Sequence, residues 1–539
     1  SGSVRCVKET GAAPAEAAGV ALLDDRLAAL APEARAAAAA RMPALDEALV
    51  ALWRSHRGTP LGDAALATLH TSVAGSVREE HAALAPLLPA LLVPPSEADA
   101  AVLALLPLLL ERLGVRALAH LAALVPFCAE VVQDSKGADE PARVAGALET
   151  LCACVRALPQ FMQAYAESAV RLLTDAEVQL LVRQRALRAV RAAHRRLHDA
   201  LVHRLPTGGV LDAVVRVWGS AASPPSAVTA PTLAALLAVV HHALREMPRE
   251  AVAVCYKPAF RFLLTAFDLR RAHAAALGER ALSSIEERAL AAFVALALKL
   301  SETQFRPLFL RTVDWAVVDL LPEGGEADAS ARAALSARSL VLYRLVSALL
   351  DQLRGVFVAF YAVLLEPALE TLRASAAGEV DAALWRACVR SMDLSAEYDE
   401  GTFWNASSVG KVAEPLLAQL PRLAKEEDAT VQQEDAALLT RTLLALVGVV
   451  PDDACLRTVN TALLKRAATP ELTVRVLALS TAAALWEAHG VALLGFVPET
   501  VAALSELLDD ADPRAASAAL RLRVAIERAL GEPLDAYLE

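Results

Sequence analysis

Aromatic residues make up only 4% of the 539-residue chain, and without them or abundant Ile and Thr there is little to build a sheet from. The 56% hydrophobic content is instead Ala, Leu and Val, which excludes a mainly β protein and favours helix. Lysine is nearly absent. It occupies positions 8, 136, 257, 299, 411, 425 and 465, so almost all of the 52 positive charges are arginine, an excess we read mainly as coding bias. The seven cysteines (Cys6, Cys128, Cys152, Cys154, Cys255, Cys388, Cys455) are odd in number and scattered through apolar segments. They exclude a disulfide framework and suit reduced core thiols of an intracellular protein. Apolar stretches read as too short or too interrupted to cross a bilayer. Ala101–Leu106, continued through Pro107 to Leu110, follows Pro86, Pro89, Pro94 and Pro95 and reads as a buried helix pair. Neither a signal peptide nor a transit peptide is visible at the start.

What is present narrows the class further. A charged fraction of 21% with a mean hydropathy of +0.41 is too apolar for disorder. The net charge of −11 argues against a surface that wraps nucleic acid throughout, while leaving room for local basic patches. Apolar residues recur at steps of three and four, as in Phe305, Leu308, Phe309, Val313, Ala316, Val317 and Leu320, until Pro, Gly or Asp clusters stop them. Pro206–Gly209, Gly219–Pro231, Pro322–Ser330 and Ala424–Thr430 read as loops. Turns followed by helix starts bring Gln432, Arg475 and Arg514 to equivalent places, in steps of 43 and 39 residues, and Arg143 to Arg185 is a step of 42. Steps of about 40 to 47 residues belong to HEAT and armadillo units. The expected fold is an all-α, HEAT/armadillo-like α-solenoid of stacked helix pairs. Residues 1–18 are expected to be a flexible leader, 19–281 divergent helical repeats, and 282–539 a C-terminal repeat region.

The chain has no Gly-rich phosphate loop, no G-x-S-x-G elbow, no H-E-x-x-H and no paired C-x-x-C. We therefore assign no catalytic, cofactor-binding or metal residue and expect no small-molecule ligand and no membrane partner. His194 and His198 share a helix face beside Asp199 and His203, but flanking Arg191, Arg195 and Arg196 would repel a cation, so structural or solvated histidines are expected. Cys152 and Cys154, two apart on a helix, point away from each other and read as core thiols. The dense positive stretch runs from Arg183 to Arg204. Within it Arg188, Arg191 and Arg195 share a face and are candidates for contact with RNA phosphates or an acidic partner, against a solvated outer helix. Ser301-Glu-Thr-Gln304 reads as a capping box, with Pro307 implying a kink or a later start. Trp315 is expected half-buried beside an Arg311/Asp314 surface pair. Phe403 and Trp404, in a loop between helices, are either anchors for a partner or staples between repeats. Asp509, Asp510 and Asp512 read as caps for a helix opened by Pro513.

These motifs, taken in order, resemble a known family. Leu300-Ser-Glu-Thr-Gln-Phe-Arg-Pro-Leu-Phe309, Asp314-Trp315, Gly401-Thr-Phe-Trp-Asn405, Val497-Pro-Glu-Thr500, Glu506-Leu-Leu-Asp-Asp510 and Leu530-Gly-Glu-Pro-Leu534 with Tyr537 look like the C-terminal region of the large nucleolar HEAT-repeat protein of the small-subunit processome, a member of the transcription-linked UtpA subcomplex. The resemblance covers about residues 282–539. It implies a non-enzymatic scaffold in early small-subunit ribosome assembly, located in the nucleus and nucleolus. Its implied partners are the other UtpA proteins and the 5′ external transcribed spacer of pre-rRNA, and its implied role is support of cleavages toward 18S rRNA and of pre-rRNA transcription. The alternative is a generic α-solenoid adaptor, for example in transport or trafficking. Within this reading Phe403, Trp404 and Pro498 form a candidate protein-docking ridge, and the tail from Leu530 to Tyr537 is expected to fold over the last layer through Leu534 and Tyr537.

Overall fold

The computed structural model describes residues 42–534 other than 77–80, 95, 97, 136–139, 223–228, 322–327 and 451. The expected leader, most of the acidic loop after Leu321, and Tyr537 lie outside the described residues. Every regular element among the described residues is an α-helix or a short 3-10 turn. The helices start where short carboxylates stand. Asp99, Asp175, Asp328, Asp381, Asp428 and Asp512 each accept hydrogen bonds from first-turn N–H groups at 2.7–3.4 Å. Each such cap contributes about 1 kcal/mol. Pro60, Pro141, Pro498 and Pro513 sit in first turns, where a missing N–H removes no helical bond. The Ser301 capping box is present and opens the helix Glu302–Val317, with Gln304 Oε1 accepting from the Ser301 N–H at 3.2 Å; Pro307 is accommodated inside that helix.

All four expected loops are shorter than their composition suggests, the one after Leu321 giving Ala329 and Ser330 to the helix Ala329–Leu353. The helix Thr207–Ala221 takes up Thr207, Gly208 and Gly209 at its start and Gly219 near its end, Ala230–Glu246 carries Pro231 in its first turn, and Ala429–Val449 begins with Ala429 and Thr430. At the helix starts the reason is common. The first-turn N–H groups have no intrahelical acceptor, so Pro and Gly cost little there.

The helices divide into two compact units, Ser1–Phe262 with Ala275–Arg288, and Leu263–Ala274 with Ala289–Glu539. In the first, Ala100–Leu113, Pro141–Ala157, Arg188–Arg204 and Ala230–Glu246 pack in succession as one layer, with Leu121–Asp134, Ala166–Leu173 and Thr207–Ala221 in a second. In the second unit Ala329–Leu353, Ala382–Glu397, Ala429–Val449, Leu472–Leu493 and Pro513–Leu530 form one layer and Leu365–Ala376, Ala406–Leu417, Asp453–Ala467 and Val497–Leu508 the other. The last three helices of the longer layer start 43 and 41 residues apart, which is the solenoid period expected from the sequence. Side chains one period apart are tied together. Arg386 holds Asp435 at 2.5 Å, Arg441 holds Asp393 at 2.9 Å, Thr440 meets Thr481 at 3.1 Å, and Asn460 donates to Thr500 at 2.9 Å. In each unit a glycine stands where two helices approach closely. A Cβ on Gly146 would lie 2.5 Å from the Leu103 side chain, and one on Gly490 would lie 2.5 Å from the Ala529 side chain.

Two stretches, Ala329–Leu353 and Leu472–Leu508, are long and apolar enough to cross a membrane by length and composition. This corrects the expectation that apolar stretches are too short for that. Leu472–Leu508 joins two helices, Leu472–Leu493 and Val497–Leu508, that lie in different layers, whereas Ala329–Leu353 is one helix with half of its apolar window buried in the stack.

Candidate functional site

The arginine stripe lies on a helix whose opposite face, Val190, Ala193, Leu197, Ala200 and Leu201, is buried. Arg188 and Arg195 are exposed, whereas Arg191 is half-buried and donates from Nη2 to the Arg185 carbonyl at 2.6 Å. The three candidates therefore share a face but not a state: Arg191 braces the preceding turn. Arg196, next in the chain, is paired with Glu149, its Nε at 2.9 Å from Oε1, and that hydrogen bond raises its pKa. Arg188 occupies the first position of its helix, where the backbone dipole is already positive, and no acidic side chain stands in that turn.

On the same helix His198 and His203 meet His242 of Ala230–Glu246, with His194 beside His198. The His198 ring is 4.7 Å from that of His242, His203 is 5.7 Å from His242, and His194 is 6.4 Å from His198. His194 Nε2 lies 3.2 Å from the Leu173 carbonyl and 3.0 Å from Gln179 Nε2, and His242 Nε2 lies 3.6 Å from Asp199 Oδ1. Burial pushes the His198 pKa down to about 4, with the neighbouring imidazoles adding to it, and burial lowers His194 and His241 too. Among the described residues no three His, Cys, Asp or Glu side chains are placed to hold a metal ion. Cys152 and Cys154 are core thiols, both buried, and burial pushes the Cys154 thiol up to about 12. His241 and His242 escaped the sequence reading. The available signal was the period, because His242 follows His198 by 44 residues, one repeat.

The second constellation is aromatic. Phe305, Phe309, Phe357 and Phe360 pack with centroids 5.0–6.3 Å apart, and Tyr361 joins Phe403 at 5.9 Å and Trp404 at 5.5 Å. Trp404 is 4% exposed and donates its indole N–H to Ser395 Oγ at 3.1 Å. Asp399 accepts from the Thr402 and Trp404 backbone N–H groups at 2.7 and 2.8 Å, fixing the loop that carries both aromatics. Of the two roles open to this pair, the geometry makes Trp404 a staple within the unit and leaves only Phe403 partly at the surface. Beneath them Tyr361 Oη meets Ser391 Oγ at 2.9 Å.

Trp315 departs from its expected setting. It is 5% exposed, and Arg338, itself buried, stacks on it at 4.8 Å from the ring centroid while donating to the Trp315 carbonyl at 2.9 Å and to Asp268 at 2.8 Å. Arg311 pairs with Asp319 through two contacts of 2.7 Å rather than with Asp314. Burial of Asp268 works against its charge, but hydrogen bonds from Arg271 and Arg338 outweigh that and hold its carboxyl below the usual range.

This aromatic and guanidinium network coincides with a recognised domain. Residues 251–404 match the BP28CT (NUC211) domain. The BP28CT segment is under a third of the chain yet holds 16 of its 24 aromatic residues, so aromatic density was the sequence signal that would have marked it. Among curated proteins, the U3 small nucleolar RNA-associated protein 10 of Mycosarcoma maydis is 32% identical over 96% of this chain and 26% of its own length. The protein of that name from Schizosaccharomyces pombe is 27% identical over 79% and 24%, and that from Yarrowia lipolytica 32% over 46% and 13%. The chain thus spans about a quarter or less of the length of these relatives. Among solved structures, importin beta in an ammonium sulfate condition is 14% identical over 97% of this chain and 67% of its own, with a TM-score of 0.34.

Pro498 lies outside BP28CT, exposed in the first turn of Val497–Leu508. Beyond the last helix, Leu534 is fully buried and its N–H donates to Glu527 at 3.1 Å, so the described part of the tail does lie against the last layer.

Proposed function

We propose that this chain is a non-enzymatic scaffold segment acting in early small-subunit ribosome biogenesis within the small-subunit processome. The observation that carries the reading is the match of 96% of the chain, at 32% identity, to a protein named for its association with U3 small nucleolar RNA. A two-layer helical array suits such work. It offers long surfaces on rigid elements without needing a catalytic pocket. We further propose that the setting is the nucleolus, the neighbours are UtpA proteins, the RNA is the 5′ external transcribed spacer, and the outcome is processing toward 18S rRNA.

Two surfaces are assigned within this reading. Arg188 and Arg195, braced by Arg191, contact phosphates of folded RNA or an acidic partner, and Phe403 with Pro498 belongs to a protein-docking ridge for which Trp404 supplies the rigid base. The test is affinity purification of the tagged chain from cells that make it, with sequencing of the associated RNA and mass spectrometry. Co-purification of U3 RNA, pre-rRNA spacer and processome proteins is expected, with 18S rRNA falling when the protein is depleted. A preparation free of U3 RNA and pre-ribosomal proteins overturns the reading.

A further inference from the structure

Residues 355–365, Gly-Val-Phe-Val-Ala-Phe-Tyr-Ala-Val-Leu-Leu, contain no charged side chain, yet one side of the segment faces solvent. Val356 is 78% exposed and Val363 39%, Ala359 is exposed and Phe360 half-buried. Val356 and Ala359, and likewise Phe360 and Val363, stand three residues apart along the helical turn Gly355–Val358 and the 3-10 turn Ala359–Val363, so apolar side chains meet solvent along the whole segment. Its inner side is fixed by Phe357, Val358 and Tyr361, all fully buried in the second unit. The strip opens on a backbone outlier. Arg354 has φ +48°, a conformation in which Gly is the usual residue, and its guanidinium lies 5.8 Å from the centroid of the Tyr398 ring. Large apolar surface held rigidly in solvent is characteristic of an interaction site.

Charge selects the partner. Exposed Asp351 and Glu366 bracket the strip in sequence, and exposed Glu397 and Glu400 flank Tyr398, on which Arg354 stacks. Among the described residues none of these four carboxylates has an ion-pair partner, and Arg354, the cation that opens the strip, lies over the Tyr398 ring. A phosphate backbone would meet net repulsion here, whereas Lys and Arg side chains around an aliphatic face would meet complementary charge. We propose that this strip docks a basic amphipathic helix of a protein partner, with aliphatic side chains on Val356, Ala359, Phe360 and Val363 and cationic ones on Asp351, Glu366, Glu397 and Glu400. The inference rests on the scaffold reading for its setting and adds the chemistry of one partner.

The test uses the full chain and two synthetic amphipathic helices, one of Leu and Lys and one of Leu and Glu, followed by fluorescence anisotropy. The Leu/Lys helix is expected to bind at least about tenfold more tightly than the Leu/Glu helix, a difference of about 1.4 kcal/mol. Val356→Asn with Val363→Asn, both at exposed positions, should weaken that binding by a similar factor without changing the melting temperature. Val254→Asn, at an 86% exposed site in the first unit, should leave it unchanged. Glu366→Gln with Glu397→Gln and Glu400→Gln should flatten its salt dependence. Equal binding of both peptides, retained binding by the double Asn variant, or equal loss from Val254→Asn overturns the proposal. So does sedimentation showing a dimer that Val356→Asn dissolves, which would make the strip a self-association surface. If these results hold while the tagged chain is absent from U3-containing particles, the processome setting fails and the docking chemistry stands.

Discussion

The two units solve the same packing problem with different chemistry. Both are two-layer stacks in which one small residue, Gly146 in the first and Gly490 in the second, lets adjacent helices close up. In the first unit the successive helices Pro141–Ala157, Arg188–Arg204 and Ala230–Glu246 meet through Leu, Ala, Cys and His, while its ion pairs one repeat apart, Arg196 with Glu149 and Arg216 with Glu167, lie at the solvent-facing rim. In the second unit the ties run through the packing faces themselves. Asp393 and Asp435, each 2% exposed, are held by Arg390, Arg441 and Arg386, and aromatic rings fill the turns between repeats. Stack geometry therefore follows from period and small residues, while the nature of the ties leaves one unit with exposed ion pairs and the other with buried carboxylates and a rigid apolar edge.

That contrast can be broken most severely at the aromatic staple. Trp404→Ala removes the Tyr361 contact and the Ser395 hydrogen bond together and should destabilise the second unit by about 3–5 kcal/mol. Hydrogen exchange should show lost protection in Ala382–Glu397 and Ala406–Leu417 with first-unit helices unchanged. Equal loss in both units would contradict the assignment of the staple to one of them.

Acid should act on the first unit instead. His198 has a folded pKa of about 4 against an ordinary value of about 6.5, so the folded state binds fewer protons than the unfolded state between these values. Stability is then fully present above about pH 6.5 and falls by roughly 3 kcal/mol as pH drops toward 4. A melting series across this range should show the decline, and His198→Leu should flatten it. An unchanged profile in the variant would remove the histidine cluster from the account.

A smaller effect is expected at Arg338. Arg338→Leu strips the Trp315 carbonyl of its donor and leaves Asp268 with Arg271 alone, costing about 2–3 kcal/mol in urea unfolding. Because the Asp268 pKa is held low, its contribution is present above the ordinary carboxylate value and is lost only as pH falls below about 4. Its acid window thus lies beneath that of His198. The smallest stability change belongs to the stripe. Replacing Arg188, Arg191 and Arg195 by Gln should cost about 1.5 kcal/mol, nearly all of it from the lost Arg191 bond to the Arg185 carbonyl. It should lower the salt slope of RNA binding by up to about three charges. Arg191→Gln alone should matter least to that slope, because that guanidinium is already tied to the Arg185 carbonyl. An unchanged slope would leave the stripe as a solvated helix face.

The repeat was legible because it is written in local signals. Helix stops near Asp428, Pro470 and Asp512 mark one period, the Ser301 capping box opens its helix, and Asp512 caps the last one. The same locality explains the misread loops, since Pro206–Gly209 has the composition of a turn and the permissive position of a first helical turn. What stayed hidden lies between repeats. Arg338 reaches 70 residues back to Asp268 and 23 to Trp315, and no spacing rule on one helix connects them. The histidine cluster was half visible for the same reason: His194, His198 and His203 share a helix, while His242 arrives from the next repeat.

The aspartate caps carry a consequence for how such an array grows. The first four helices of the longer layer in the second unit are each followed by one of the other layer, and pairs at like heights of successive helices, Arg386 with Asp435, Thr440 with Thr481 and Arg475 with Asp510, show that the longer layer's helices point in the same direction. Parallel neighbours present their positive ends side by side, and those ends repel. Asp328, Asp381, Asp428 and Asp512 put a negative charge on four of the five. A repeat duplicated or inserted into the layer is electrically self-sufficient only if it brings its own terminal carboxylate, which makes the cap part of the unit of inheritance as well as a stop sign for the helix.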